Sequence, residues 1–152
     1  MHLDARLTWG THIQKKMEHL RFKTRTMSWL LAKRSGLSLD NKTLLYKIAL
    51  KLIWLYSIQL WGCAKTSNLQ KIQRYQNRVL RTITAAPWYV SNYTLHNDLN
   101  VMSVEDEIKK QANKHVTRLS IHMNPLATNL LDNSGEIRRL WPNKPLDLAQ
   151  PL

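Results

Sequence analysis

Apolar residues recur at helical spacing in the first part of the chain. They follow one another at alternating intervals of four and three residues, and they are Ile13, Met17, Leu20, Thr24, Met27 and Leu31. Because these intervals place side chains on one face of an α-helix, we predict a long helix here. It is expected to begin near Thr8 or Thr11 and to end near Arg34.

A second segment is apolar on nearly all sides. The run from Leu44 to Leu60 is interrupted only by Lys47, Lys51, Ser57 and Gln59. We predict a helix that begins after a capping residue, Ser38 or Asp40, and forms the most buried element of the fold. A membrane-spanning helix is the alternative. However, the uncharged stretch, Leu52 to Ala64, has 13 residues, whereas a span needs about 20.

Capping signals indicate two further helices. Ser67 with Gln70 and Ser103 with Asp106 have the spacing of a capping box, in which side chains satisfy the free amides of a helix start. They predict one helix from Ser67 to about Thr84 and another from Ser103 to about His122. A short helix is expected between them, over residues 93–99.

The last part of the chain has no sustained periodicity. It contains four of the five prolines, so residues 123–152 are predicted to be an extended or disordered tail. Residues 1–122 are predicted to form one helical domain. With only 4 Gly and 5 Pro among 152 residues, tight turns are too few for an all-β chain. The expected fold class is all-α, an antiparallel bundle of three to four helices with an irregular C-terminal tail.

Positive charge is concentrated in the first part of the chain. The net charge is +13, and residues 1–87 hold 16 Lys or Arg against 3 Asp or Glu, whereas residues 88–152 hold 7 of each. Such an excess attracts polyanions, nucleic acid above all. A metabolic enzyme is correspondingly disfavoured.

The third predicted helix has two contrasting faces. Four cations spaced by three, four and three residues fall opposite its apolar face, and they are Lys71, Arg74, Arg78 and Arg81. A stripe of this kind can follow a phosphate backbone. A merely solvated helix face is the alternative interpretation.

The first predicted helix carries further cations. Those we assign to nucleic-acid binding are Lys15, Lys16, Arg21, Lys23 and Arg25. Phe22 and Trp29 lie among them, away from the apolar face. They are expected either to stack on bases or to dock against another part of a larger protein.

The sequence offers no set of catalytic or metal-binding residues. Cys63 is the single cysteine, so an internal disulfide is impossible, a buried unreactive thiol is expected, and a reducing intracellular compartment, nucleus or cytoplasm, is favoured. His12 with His19 and His115 with His122 are seven residues apart, too far along a helix to share a metal ion. The acidic residues 105–107 are best explained as charge at a helix start.

Four segments of the sequence resemble a known family. They are HLDARLTWGTHI (residues 2–13), LLYKIALKLIWLYSIQLWGCA (44–64), IQRYQNRVLRTITAAPWYVSN (72–92), and LLDNS with a following RRL. Together they are similar to the C-terminal region of jockey-like non-LTR retrotransposon reverse transcriptases, which are RNA-directed DNA polymerases. The resemblance covers nearly the whole chain.

The resemblance implies a place after the polymerase palm, in helices that correspond to a thumb and hold template and primer. The expected partners are RNA, DNA or an RNA–DNA hybrid, together with palm and endonuclease domains of a longer polyprotein, and no membrane. The parent polymerase would use Mg²⁺, whereas no cofactor is expected in this segment. The family tends to have Pro and Gly where this chain has Leu52 and Ser57, so the second helix is expected to run straighter.

Three functions remain open at this point. The chain binds nucleic acid without catalysis, or it polymerises DNA, or it is a helical protein-interaction module. Two-metal polymerase chemistry needs carboxylates, and no two aspartates are adjacent in the sequence. Polymerisation is therefore disfavoured, and a degenerate, non-functional transposon remnant is a further alternative.

Overall fold

Helices form most of the described part of the chain, which comprises Asp4, residues 8–131 and Leu148 in a computed structural model. In order they are α1 (Gly10–Thr26), α2 (Ser28–Leu31), α3 (Leu39–Leu45), a π-helical segment (Tyr46–Lys51), α4 (Leu52–Leu55), α5 (Ile58–Trp61), α6 (Thr66–Thr84), α7 (Asn92–Asp98), α8 (Val104–Ser120), α9 (Pro125–Thr128) and a 3₁₀ turn (Asn129–Leu131). No β-strand occurs within these residues, and the all-α class is confirmed.

The predicted apolar face of the first helix is buried. Five of its six members are in the core, namely Ile13, Met17, Leu20, Met27 and Leu31. The sixth, Thr24, places its hydroxyl 2.6 Å from the hydroxyl of Tyr75 and so ties α1 to α6. The helix is shorter than expected: α1 ends at Thr26, and α2 follows after Met27.

Large side chains from several helices fill one core. α1 packs against α4 and α6, and α8 packs against α5 and α6. The largest fully buried side chains include Tyr46, Trp54, Trp61, Leu20, Leu50 and Leu80. Burying each such side chain contributes about 1.5–3 kcal/mol, so these contacts hold the basic helices in place.

The segment predicted as one straight helix is broken. α3 leads into the π-helical segment, α4 ends at Leu55, and Ser57 adopts a left-handed backbone with φ 58° and ψ 27° before α5 begins. The expectation of a straighter helix is therefore wrong. The left-handed residue stands at the position where the resembling family tends to have glycine.

Only one face of this broken segment is buried. Tyr46, Leu50 and Trp54 are inaccessible, but Leu44, Ile48 and Leu52 are 54–55% exposed. We call these last three residues the apolar stripe. The prediction that this segment is the most buried element holds for one face alone. Within the described residues, none of the helices combines the length and the apolarity that crossing a bilayer requires.

The helix starts agree with two of the three capping expectations. The Ser38 hydroxyl, one of the two candidates before the second segment, accepts from the amide of Asn41 at 3.3 Å and caps α3. The Ser103 hydroxyl accepts from the amide of Asp106 at 3.1 Å and caps α8 as predicted. Ser91 caps α7, which confirms the short helix expected over residues 93–99. The prediction of a capping box at Ser67 is wrong, because α6 begins one residue earlier, at Thr66, without a side-chain cap.

Part of the segment predicted as a tail is helical. Residues 125–131 form α9 and the 3₁₀ turn, and Leu148 packs against the core. Residues 132–147 and 149–152 lie outside the described residues, as do residues 1–3 and 5–7 of the opening motif.

Candidate nucleic-acid interface

Helix α6 has one buried face and one charged face. Ile72, Val79, Leu80 and Ile83 are buried against the core. On the other side Lys71, Arg74 and Arg78 are exposed, and Arg81 is half-buried. The four cations extend over about 15 Å of helix at 1.5 Å per residue. The two-sided helix predicted from the spacing is thus present.

Three of the four cations line a single groove. Arg74, Arg78 and Arg81 form it together with Asn77, Thr82 and Asn92. The guanidinium groups of Arg74 and Arg78 make no hydrogen bond or ion pair with another described residue, so both keep their donors for a ligand. We call this surface the arginine groove.

Arg81 is bound to the loop that follows α6. Its guanidinium donates to the carbonyl oxygens of Pro87 at 3.0 Å and Val90 at 2.6 Å, and to Oδ1 of Asn92 at 3.0 Å. Because a guanidinium has a planar fork of donors, it holds several acceptors in a fixed arrangement. Arg81 therefore contributes both charge to the arginine groove and order to the loop.

Residues 87–91 form a short turn with two aromatic side chains at its surface, which we call the aromatic turn. Trp88 is 90% exposed and Tyr89 is 72% exposed. Their ring centroids are 6.0 Å apart with an interplanar angle of 81°, an edge-to-face pair. Two aromatic faces are thus presented to solvent beside the arginine groove.

An amide-rich cleft of about 600 Å³ adjoins the arginine groove and shares Asn77 and Asn92 with it. Inside it, Oδ1 of Asn77 lies 2.9 Å from both Nε2 of Gln73 and Nε2 of His96. Oε1 of Gln73 accepts from the amide of Val104, at the start of α8, at 2.8 Å. These bonds fix α6 relative to α7 and α8.

The cations predicted on the first helix lie elsewhere. Lys15, Arg21, Lys23 and Arg25 are exposed on α1 and do not line the arginine groove. Lys71 is exposed on α6 and donates to Oδ1 of Asn68 at 2.9 Å.

Lys16 lies in the interior of the protein. Its Nζ donates to the carbonyl oxygens of Ile53 and Tyr56, each at 2.9 Å, and lies 5.7 Å from the centroid of the Trp61 ring. Burial lowers the pKa of Lys16 to about 8. Its assignment to nucleic-acid binding conflicts with this position, because the helix break that attracts the ammonium group was not foreseen.

Phe22 and Trp29, the aromatic residues singled out on the first helix, are each 70% exposed. Their role in base stacking or docking stays a prediction.

The residues considered for other chemistry do not form a site in the described part of the chain. No three His, Cys, Asp or Glu side chains converge there to hold a metal ion. The Cys63 thiol is half-buried and donates to the carbonyl of Leu60 at 3.0 Å. Burial raises the pKa of the Cys63 thiol and so disfavours the reactive thiolate.

Sequence reasoning did not single out Trp88 and Tyr89. The segment has no helical period, so no amphipathic pattern marked it. The available signal was Pro87, which prevents helix continuation, followed at once by two large aromatic residues among polar ones.

Comparison with known proteins gives consistent relatives. The chain is 44% identical over 146 residues to a probable RNA-directed DNA polymerase from the transposon X-element of Drosophila melanogaster, covering 96% of the chain and 16% of that protein. It is 39% identical over 144 residues to a probable RNA-directed DNA polymerase from transposon BS of the same species, covering 95% of the chain and 15% of that protein. It is 40% identical over 128 residues to the RNA-directed DNA polymerase from mobile element jockey of Drosophila funebris, covering 84% of the chain and 14% of that protein.

The resemblance found in the sequence is confirmed by these relatives: the chain is homologous to one segment of the RNA-directed DNA polymerases of jockey-like non-LTR transposons. It spans between 14% and 16% of the length of these relatives. No model of a known protein family matches the chain, and no solved structure does.

Proposed function

We propose that the chain, as a homologue of one segment of these reverse transcriptases, grips template–primer nucleic acid and does not itself catalyse polymerisation. The observation that carries the proposal is the arginine groove, in which Arg74 and Arg78 keep their guanidinium donors unused by other described residues. Arginine is suited to this task because its planar fork matches the oxygens of a phosphate group.

The mechanism we propose is neutralisation of backbone phosphates with release of condensed counterions. Such binding depends on charge and spacing and reads little sequence, as template–primer binding requires. The binding residues under this proposal are Arg74 and Arg78 first, with Lys71 and Arg81 beside them. Lys15, Arg21, Lys23 and Arg25, which are exposed on α1 outside the arginine groove, are proposed as further phosphate contacts.

Catalysis is proposed to come from other parts of a longer polyprotein, a palm that holds Mg²⁺ and an endonuclease. Two-metal phosphoryl transfer requires a carboxylate set, and the sequence contains no adjacent pair of aspartates. A primer-extension assay with Mg²⁺ tests this part directly. Extension by the chain alone would contradict it.

The binding proposal is tested by measuring affinity for an RNA–DNA hybrid duplex over a range of salt concentrations. Affinity is expected to fall steeply with salt, and the Arg74→Gln and Arg78→Gln substitutions should each lower the slope of log K against log salt by about one. Arg118→Gln removes the same charge from an exposed position on α8 and should change the slope less. A response to salt that is flat in the wild type rejects the proposal.

A second candidate function is protein interaction, and the apolar stripe favours it. Leu44, Ile48 and Leu52 are each more than half exposed on one face, an arrangement that commonly marks a contact surface. Under this alternative the stripe packs against the remainder of a reverse transcriptase. Binding of such a partner that persists in high salt and is lost in Ile48→Asp would favour it over nucleic-acid binding.

A further inference from the structure

The aromatic turn presents its two rings to solvent although apolar surface of this size is normally buried. Trp88 is the most exposed tryptophan of the described residues at 90%, and Tyr89 is 72% exposed. Both rings are large, rigid and flat, so they lose little conformational freedom when a flat ligand covers them. An exposed pair of adjacent aromatic rings commonly marks a contact site.

Hydrogen bonds to its backbone hold the aromatic turn in place. Besides the two bonds that Arg81 donates to Pro87 and Val90, the amide of Val90 donates to the carbonyl of Pro87 at 3.2 Å. The turn ends at Ser91, whose hydroxyl caps α7 by accepting from the amide of Thr94 at 3.0 Å. The backbone that carries the two rings is thus fixed at both ends, and the rings form a preorganised platform.

The position of the platform indicates the chemistry of its ligand. Arg81, which binds the turn, and Asn92, which directly follows the turn and accepts from Arg81, both line the arginine groove. A ligand that lies along Arg74 and Arg78 through its phosphates therefore passes beside two exposed π faces. Positive charge next to stacking aromatic residues is the arrangement by which proteins bind single-stranded nucleic acid.

We propose that Trp88 and Tyr89 stack on unpaired nucleobases of a strand whose phosphates occupy the arginine groove. This proposal rests on the nucleic-acid binding proposed above. The ligand class is single-stranded nucleic acid, or the unpaired end of a template–primer duplex. Bases inside a duplex are stacked on one another and have no free face. The platform consequently gives a preference for unpaired over fully paired nucleic acid.

The experiment compares two ligands, oligo(dT) as single strand and a blunt RNA–DNA hybrid, and measures affinity by anisotropy at constant salt. The variants are Trp88→Ala/Tyr89→Ala, the aromatic replacement Trp88→Phe/Tyr89→Phe, and the control Ile121→Ala/Met123→Ala, which removes two exposed apolar side chains that follow α8. Circular dichroism of each variant checks the fold. Because the two replaced rings are mostly exposed, the helices should be unaffected.

The alanine variant is expected to bind oligo(dT) at least about tenfold more weakly, since stacking contributes a factor of about 5 to 150 per base. Its affinity for the blunt hybrid should stay within about twofold, and the phenylalanine variant should recover most of the loss. Equal losses for both ligands, or none for oligo(dT), overturn the stacking role. If Arg74→Gln/Arg78→Gln weakens hybrid binding while the alanine variant changes nothing, the proposed phosphate binding is supported and the stacking role is rejected. If the wild type binds neither ligand, both proposals are rejected.

Discussion

The ammonium group of Lys16 donates a 2.9 Å hydrogen bond to the backbone carbonyl oxygen of Tyr56, 40 residues further along the chain. It donates a second bond of 2.9 Å to the carbonyl oxygen of Ile53. Because the helix stops at Leu55, carbonyl groups of its last turn lack the amide partners that a continuing helix would supply. A lysine side chain from α1 satisfies them and fixes α1 against the break.

The buried position of Lys16 predicts a specific pH dependence of stability. Burial lowers the pKa of Lys16 to about 8, against 10.5 for a free lysine. Between these pH values the unfolded chain binds more protons than the folded chain, so stability rises with pH. One pKa unit corresponds to about 1.4 kcal/mol, which limits the rise to about 3.5 kcal/mol.

The measurement is urea denaturation of the wild type and of Lys16→Met at several pH values. Methionine keeps an unbranched apolar side chain and does not titrate, so the difference between the two curves isolates this one group. We expect the wild type to gain stability relative to the variant across the interval. A constant difference would mean that the two carbonyl bonds compensate fully for burial of the charge.

Ser57 is predicted to be stabilised by replacement with glycine. Its φ of 58° lies in the left-handed region, where the conformational strain of a residue with a Cβ atom is about 1–2 kcal/mol. Ser57→Gly removes that strain but adds freedom to the unfolded chain, so we expect a net gain of about 0.5–1 kcal/mol in the free energy of unfolding. The control is Ser67→Gly, in the first turn of α6, which should destabilise by a similar amount. Destabilisation by both substitutions would contradict the left-handed assignment.

The fold was predictable where periodicity alone decides burial. The face from Ile13 to Leu31 was predicted correctly because five of its six residues pack on the core regardless of what the distant chain does. Lys16 was misassigned for the opposite reason. A lysine in a helix is expected at the surface, and only the carbonyl groups released by the break at Ser57 make its burial favourable, so the tertiary arrangement had to be known first.

An ion pair between helices makes a further prediction. Nζ of Lys51 lies 2.7 Å from Oε2 of Glu107, whose side chain is 3% exposed. Burial tends to raise the pKa of Glu107, but hydrogen bonds from Lys51 and Gln111 outweigh it and lower that pKa below its usual value. Lys51→Met leaves a buried carboxylate without its cation, and we expect a loss of about 2–4 kcal/mol at neutral pH.

The matched control is Lys109→Met, which breaks an exposed pair with Glu105 at 3.0 Å and should cost less than about 0.5 kcal/mol. Because the folded-state pKa of Glu107 is lowered, its contribution is complete above the ordinary value of 4.5 and disappears as pH falls through the folded-state value. If both substitutions lower the free energy of unfolding by the same amount, burial does not strengthen the Lys51–Glu107 ion pair.

The charged stripe of α6 was also predictable, because spacing by three and four residues fixes which side chains share a helix face. The partners of Arg81 were not. Its acceptors lie 6, 9 and 11 residues further on, and their convergence depends on how the aromatic turn folds back. For the same reason the sequence marked Arg81 only as a phosphate contact and passed over the neighbouring rings.

Arg81→Lys separates the positional role of this side chain from its charge. Lysine keeps the charge but lacks the planar fork that reaches Pro87, Val90 and Asn92, so we expect a loss of about 1–2 kcal/mol in the free energy of unfolding. Amide hydrogen exchange should become faster at Val90, whose amide is bonded across the turn. Arg78→Lys is the matched control, since its guanidinium bonds to no other described residue, and it should remain within about 0.5 kcal/mol of wild type. If both lysine variants are equally stable and exchange at Val90 is unchanged, Arg81 does not organise the turn.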